Sequence, residues 1–546
     1  MTAEPRRDTR WWGWGRADEE AELSPAAEAM LNGREILPPE SAEVPPLESV
    51  SIPDAEVIPD EISRIAGPGN VLTGHEDRIR HAAGQSYLDL LEKRSGRISQ
   101  APDAVVVIPT SDAIVPLLEA CSRLGIGVVP FGGGTSVVGG IAPDKGSFDR
   151  VISLDTVNLN SVEVDERSLT ARVGAGLRGP EAEALLAASG FTIGHYPQSF
   201  EYATVGGFAA TRSAGQSSSG YGRFDSLVSS VRLATPAGEL STLDTPHTAI
   251  GPALRELVIG SEGIFGVIPD VDVRIRPVPV ATRYEAWIAG SFAEGNEIIR
   301  RLAQDDRLPT IARVSDEDET ATSLTMSAPG GVTGDLFRRY LKVRGRSDGA
   351  LMIAGFEGTS DRVRVQRADT AKALRKGGAV YLGQSAGKGW QKGRFHGPYL
   401  RETLLDHGAL VETLETAQQW SAHPALYRGV KDALESEMAA QGMKGVVMCH
   451  LSHAYRDGAS LYFTVISSPG RDGGAAAWPP VKAAACKAIR SLGGTLSHHH
   501  ATGRDHTPYL AGEIGELGIE ALAGIKERLD PAGIMNPGKL VPVKAG

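Results

Sequence analysis

The stretch "LSHHHATGRDHTPYL", residues 496–510, sets His498, His499 and His500 side by side, with Arg504, Asp505 and His506 close behind. Imidazole moves protons near neutral pH and is also the commonest metal ligand. Zinc takes neutral imidazoles at about 2.0–2.1 Å in a tetrahedral array. Adjacent residues point to opposite faces of a strand and diverge on a helix. The i, i+4 spacing is missing from this block. No metal is therefore expected here, which leaves proton transfer or a solvated loop with no role. Upstream, in "YRDGASLYFTV", Tyr462 faces away from Leu461, Phe463 and Val465 if the stretch is a strand. A buried tyrosine there is often only packing, with its hydroxyl satisfied by a neighbour. Arg313 in "TIARVSDE" and Arg401 in "YLRETLLDHG" have the fork that holds a carboxylate or phosphate. Their plainer readings are a pair with the "SDEDE" carboxylates for Arg313 and a solvated helix position for Arg401. His450 and His453 in "CHLSHAYRDG" have a spacing open to ligation, yet core or surface histidines are commoner.

Three glycine loops form a second group. "PFGGGTSVVGG" puts Gly132, Gly133 and Gly134 after Pro130 and Phe131, with Thr135 and Ser136 next. Glycine permits positive φ and close backbone approach. Successive N–H groups then make a nest for a phosphate. The run is neither G-x-G-x-x-G nor a P-loop. "QSFEYATVGGFAATRSAG" supplies Gln198, Ser199, Thr204, Gly206, Gly207, Thr211, Arg212, Ser213 and Ala214. "IGSEGIFGVIPD" supplies Glu262, Gly263, Ile264, Phe265, Gly266, Val267 and Ile268. One such loop reads equally well as a plain turn. Three in one α/β region suit a long ligand with a pyrophosphate and a flat ring, and a dinucleotide is the natural candidate.

Elements must carry these groups. A chain of 546 residues exceeds one ordinary core, so two or more domains are expected. With 41% hydrophobic and 23% charged residues it is a soluble globular type. A net charge of −11 argues against a general nucleic-acid-binding role. Cys121, Cys449 and Cys486 are scattered and odd in number, which suggests reduced thiols in the cytoplasm. No apolar run is long enough to span a bilayer. Arg6-Arg7 precedes "WWGWGRADEEAEL", which is too charged for a signal core.

Residues 1 to about 70 are rich in Pro, Glu and Ala, so an extended arm is expected, docked through the tryptophans of "RWWGWG". "AVVVIP" reads as a buried strand and "SDAIVPLLEACSRLG" as a helix capped by Ser111 and stopped at Gly125. "IGVVP" is the next strand. "GPEAEALLAASG" is a short helix with Pro180 in its first turn. The C-terminal segment reads as one helix ending at Asp530-Pro531. The expected divisions are 1–100, 101–279, 280–495 and 496–546.

The three loops, in this order, resemble the FAD domain of the vanillyl-alcohol-oxidase/PCMH flavoprotein superfamily. The resemblance implies an α+β fold: a PCMH-type FAD-binding domain of two α/β subdomains, plus a cap domain whose sheet is covered by helices. It also implies FAD held by residues 130–136, 198–204, 211–214 and 262–268. Within that superfamily the chain resembles the alkyldihydroxyacetonephosphate synthases, also called alkylglycerone-phosphate synthases. "WWGWG" is similar to their Trp-Gly-Trp-Gly stretch, and "LSHHHATG" to their histidine stretch. The resemblance assigns catalysis to Tyr462, His498, His499, His500, Arg401 and Arg313, with no metal. The implied reaction replaces the acyl chain of acyl-dihydroxyacetone phosphate with a fatty alcohol. It implies lipid-type substrates, which with no bilayer-spanning run points to peripheral contact with the membrane surface. Non-covalent FAD is expected because the first loop has no histidine and none of the three a cysteine, and a homodimer is expected. Gln198 stands where that family usually has aspartate. "LYFTV" is less aromatic than the family's version, and "HATGRDHTPYL" diverges after the third histidine. The rival reading is an FAD-dependent 2-hydroxyacid dehydrogenase, but "CHLSHAYRDGASLYF" does not meet its His-x-Gly-Asp-Gly-Asn pattern. A flavin-binding protein without catalysis is the remaining alternative.

Overall fold

The computed structural model describes residues 6–19, 22–39, 43–327 and 339–541. Among them three sheets carry the site. The first has strands Val71–Leu72, Ala104–Val107, Arg150–Asp155 and Ile126–Phe131 in that order. The last three are parallel. Ala104–Val107 is buried on both faces, as the unbroken apolar run requires in a parallel sheet. Helix Ile114–Leu124 covers it with Ile114, Leu117, Leu118 and Cys121, a stripe at helical spacing. Gly125, at φ 63°, ends that helix as expected. Ser111 does not cap it. It lies in a 3₁₀ turn, Ser111–Ala113, and the α-helix starts after that turn with no side-chain cap.

The second sheet is antiparallel, in the order Val162–Asp165, Thr170–Gly174, Asp270–Arg274, Val228–Thr235 and Gly238–Ser241. The C-terminal helix Ala511–Leu529 packs on its core through Leu522, Ile525 and Leu529. The expected single helix is interrupted: Gly515 sits at φ 74°, ψ 162°. Beyond it, the Asp530 carboxylate accepts from the N–H groups of Ile534 and Met535. The chain then pairs with the first sheet at Val128. Asn536 donates to the carbonyls of Gly140 and Glu262, tying the first glycine loop to the third.

The third sheet has seven antiparallel strands: Val380–Gly383, Ala281–Ala289, Ala350–Gly358, Ile311–Ser315, Gly445–Leu451, Gly458–Ser467 and Leu410–Gln419. Strand alternation sends Val314, Cys449, Leu461, Phe463 and Leu414 into one core. Helices Phe292–Gln304, Ser360–Lys376, His423–Ala440 and Gly474–Ser491 cover that face. The same alternation leaves Arg313, His450, Tyr462 and Glu415 on the opposite face. The polar face, not the apolar one, is turned toward the rest of the molecule.

The N-terminal arm docks as expected. Trp11 and Trp14 are buried, and Trp14 meets Tyr202 edge-on at 4.8 Å. Arg6 pairs with Glu181 at 2.6 Å and Asp8 with Arg178 at 2.5 Å, near the second sheet. A Cβ at Gly13 would lie 2.0 Å from Glu402 Oε2, so the arm lies directly against helix Gly397–Asp406 there.

Candidate active site

Strand register brings the first residues together. Tyr462 lies opposite Glu415 on one neighbouring strand and His450 on the other. Its ring stacks on His450, with centroids 4.8 Å apart and planes 18° apart. The histidine block is neither strand nor helix but a bend. Glu415 shapes it. Its carboxylate accepts the backbone N–H groups of His498 at 2.5 Å, His499 at 2.9 Å and His500 at 2.8 Å, and the Ser497 hydroxyl at 2.8 Å. Three consecutive amides converging on one carboxylate turn the imidazoles back toward Tyr462. The ring centroids of His499 and His500 lie 6.0 and 5.4 Å from that of Tyr462.

Burial sets the protonation states. It pushes His498 and His499 down to about 4 and His500 to about 3, so all three imidazoles are neutral near pH 7. Burial also pushes the Tyr462 hydroxyl up to about 12; Glu412 and Glu415 add to this, while Thr413 and Arg401 oppose it. Burial works against ionisation of Glu415. The adjoining imidazoles and the backbone N–H donors outweigh it and hold the carboxyl well below its usual range. The site therefore sets a protonated phenol, able to give a proton, beside neutral imidazoles, able to accept one.

Arg313 does pair with a carboxylate of its own "SDEDE" run, as the plainer reading expected. Its Nη2 lies 2.5 Å from Glu319 Oε1. The same carboxylate also takes His450: Glu319 Oε2 is 2.9 Å from its Nδ1. Arg313 Nη2 also lies 2.9 Å from His450 Nδ1, so it reaches Tyr462 through the stacked His450, directly and by way of Glu319. Arg401 lies on helix Gly397–Asp406 and is not solvated. Its fork donates to the carbonyl and side-chain oxygen of Gln85 at 2.8 and 3.0 Å, and to Glu402 at 3.0 Å. Of the six expected catalytic residues, four form one cluster, Arg313 joins it at one remove, and Arg401 acts on it through its charge.

The three glycine loops converge. A Cβ on Gly133 would lie 2.0 Å from the Tyr202 carbonyl, and one on Gly132 would lie 2.3 Å from the Thr204 hydroxyl, so the first loop meets the second. A Cβ on Gly263 would lie 2.9 Å from Pro130, so the third meets the first. A recess of about 60 Å³ adjoins Gly132, Gly133 and Gly134, with Arg6, Arg10 and Arg80 among its walls. The buried hydroxyls of Ser217, Ser219 and Ser261 have no protein partner. A close-approach backbone cradle with a cationic recess beside it fits a phosphate-bearing dinucleotide.

Several side chains of the loops are committed elsewhere. Glu262, pushed up to about 7 by burial, accepts the N–H groups of Thr502 and Gly503 at 2.7 Å each, which ties the third loop to the end of the histidine block. Arg212 holds Glu256. Ser213 contacts His195, and Gln198 donates to the Arg394 carbonyl. Backbone, rather than these side chains, is left to face a cofactor there. Sequence reasoning missed Glu415 and Tyr455, the latter 2.7 Å from His498 Nε2 through its hydroxyl. Only the alternation that puts Glu415 beside Leu414 could have flagged one of them.

Comparison with known proteins agrees with this layout. Residues 102–244 match the family described as FAD binding domain, and residues 278–540 match the C-terminal domain of FAD linked oxidases. The chain is 33% identical over 494 residues to an alkyldihydroxyacetonephosphate synthase of Trypanosoma brucei brucei, covering 88% of this chain and 80% of the relative. A solved structure of alkyldihydroxyacetonephosphate synthase superposes with a TM-score of 0.84 at 27% identity, over 98% of this chain and 99% of that one. One of p-cresol methylhydroxylase superposes with a TM-score of 0.67 at 13% identity, over 89% and 97%. The last likeness shows the fold alone, a PCMH-type FAD-binding domain with a cap.

Proposed function

The chain belongs to the alkyldihydroxyacetonephosphate synthase family, and on that premise we propose that it exchanges the acyl chain of acyl-dihydroxyacetone phosphate for a fatty alcohol, with FAD as cofactor. The observation that carries this reading is the cluster of Tyr462, His498, His499 and His500 set around the Glu415 carboxylate. When bound, FAD supplies the ring against which the exchange takes place, held by the backbone of the three glycine loops. The protein does the rest. Tyr462, protonated at neutral pH, donates to the departing oxygen as the bond to C1 breaks, and takes its proton back from the hydroxyl of the alcohol as that oxygen bonds to C1. A neutral imidazole, His499 or His500, takes the proton from substrate C1 and returns it after the alcohol has entered. Arg401, nine-tenths buried, supplies a fixed positive charge for the phosphate or the leaving carboxylate. Arg313 acts as a positioning residue, orienting Tyr462 through Glu319 and His450. The 2-hydroxyacid dehydrogenase reading gains no support here, because His450 is already engaged by Glu319 and stacked on Tyr462.

The direct test is incubation of the purified protein with acyl-dihydroxyacetone phosphate and labelled hexadecanol. Labelled ether lipid should appear together with free fatty acid. Bleaching of the flavin by D-lactate or D-2-hydroxyglutarate, with no ether lipid formed, would replace this reading with the dehydrogenase.

Two further expectations follow. The first glycine loop has no histidine and none of the three loops has a cysteine, so attachment of FAD is non-covalent. Acid precipitation should leave yellow FAD in the supernatant, and flavin remaining on the polypeptide contradicts this. No helix among the described residues is long and apolar enough to cross a membrane, so lipid substrates imply a peripheral visit to the surface. Salt or alkaline washing should strip the protein from vesicles, and a need for detergent counts against it. A homodimer belongs to the same reading and is open to sedimentation.

A further inference from the structure

We propose that His453, His498 and His499 form a binding site for a divalent transition cation of the zinc class, and that filling it switches the proton-transfer cluster off. The expectation of divergent side chains assumed a strand or a helix. The bend at 498–500 removes that premise. One ring nitrogen from each of the three histidines lies within 4.8 Å of the other two. His498 Nδ1 and His499 Nδ1 are 3.0 Å apart. Tetrahedral zinc with bonds of about 2.0–2.1 Å needs nitrogens about 3.4 Å apart, so this pair is near ligand spacing. The proton between the two moves to His499 Nε2 as the cation enters, and His453 closes from within 4.8 Å. His453 is buried and its Nδ1 has no partner, which a cation would supply. His498 is oriented from behind: with Nε2–H given to the Tyr455 hydroxyl at 2.7 Å, its Nδ1 lone pair faces His499. Such outer contacts fix the tautomer of metal-ligating histidines. Glu415 Oε2, 3.5 Å from His499 Nδ1, sets a negative charge beside the cation.

The donors are all imidazole nitrogens. That chemistry selects zinc, cobalt, nickel or copper and rejects magnesium and calcium. A cation there takes the lone pairs of His498 and His499 and fixes their rings away from Tyr462. Its inhibitory effect rests on the proposed function; its binding does not. Cation binding is thus reversible and inhibitory, not a requirement of the reaction.

The test uses the flavin-loaded protein with zinc and cobalt chlorides. Equilibrium dialysis followed by metal analysis should show one equivalent retained. Cobalt should give ligand-field bands at wavelengths longer than the flavin absorption. His453→Gln should weaken retention at least tenfold, and Tyr455→Phe, which removes one hydroxyl, several-fold; an unchanged flavin spectrum reports the fold in each. Zinc should inhibit ether-lipid synthesis by the wild type, with recovery on adding chelator, and magnesium should not. Each variant's own residual rate should be correspondingly less sensitive to zinc. No stoichiometric retention, or retention equal in wild type and His453→Gln, overturns the site. If ether-lipid synthesis itself is absent, dialysis and the cobalt bands still decide the question of binding.

Discussion

Tyr462→Phe should keep FAD and fold and lose about 100-fold or more of the exchange rate, the usual scale for a positioned acid or base. The change removes one hydroxyl. The ring keeps its stack on His450 at 4.8 Å and its place in the strand between the Glu415 and His450 strands. What disappears is the only group on that ring able to give a proton. A triple change of His498, His499 and His500 to alanine should cost at least as much, because it removes the acceptors facing Tyr462. Chelator should not affect the purified wild type. A required metal predicts the opposite: chelation abolishes the rate and zinc restores it. Ether-lipid synthesis measured for both variants, with and without chelator, separates these cases. Rates near wild type in both would remove these residues from the mechanism.

The glycine loops were legible because their constraint is local. Gly133 leaves no room for a Cβ beside the Tyr202 carbonyl, and a run of three glycines after a strand already signals such crowding. The Arg313 pairing was legible for a related reason, since Glu319 lies six residues on in the same acidic run. The shape of the histidine block was not. Its bend is imposed by Glu415, 83 residues from His498 along the chain. Nothing in the sequence near either residue reports that contact. Strand alternation put Glu415 on the polar face, where a glutamate reads as solvated, yet the face is covered and the side chain is buried. The break at Gly515 was hidden because a glycine inside an apolar helical pattern is usually tolerated. The same long-range folding brings His453 beside His498 and His499, a proximity that spacing along the chain does not report, because His453 enters from a different strand connection.

Glu415→Gln should lower the exchange rate about 100-fold while leaving FAD bound. The reason is geometric. The wild-type carboxylate accepts three amide N–H groups and one hydroxyl. An amide of the same size offers a single acceptor oxygen and turns an NH₂ toward other donors. The bend must open, and a displacement of about 1 Å at a reacting group is enough for a loss of this size. Breaking such a buried network also costs about 3 kcal/mol of stability. The pH response separates positioning from simple damage. Glu415 favours the protonated form of each of the three imidazoles. Without it they hold protons less tightly, so the acid limb of the rate profile should move to lower pH in the variant. Stability has its own sign. The folded histidines lie at about 4, 4 and 3, below the ordinary 6.5. The stability they give is present above about 6.5 and lost as the pH falls toward 4, because the unfolded chain binds the extra protons. The Glu415 carboxyl, also held below its ordinary value, gives stability that is lost at still lower pH. Thermal unfolding of the wild type should therefore drop between pH 7 and 5 through the histidines, and the variant should start lower and follow the same slope there. An unchanged rate with an unshifted acid limb would show that the carboxylate does not position the histidines for proton transfer.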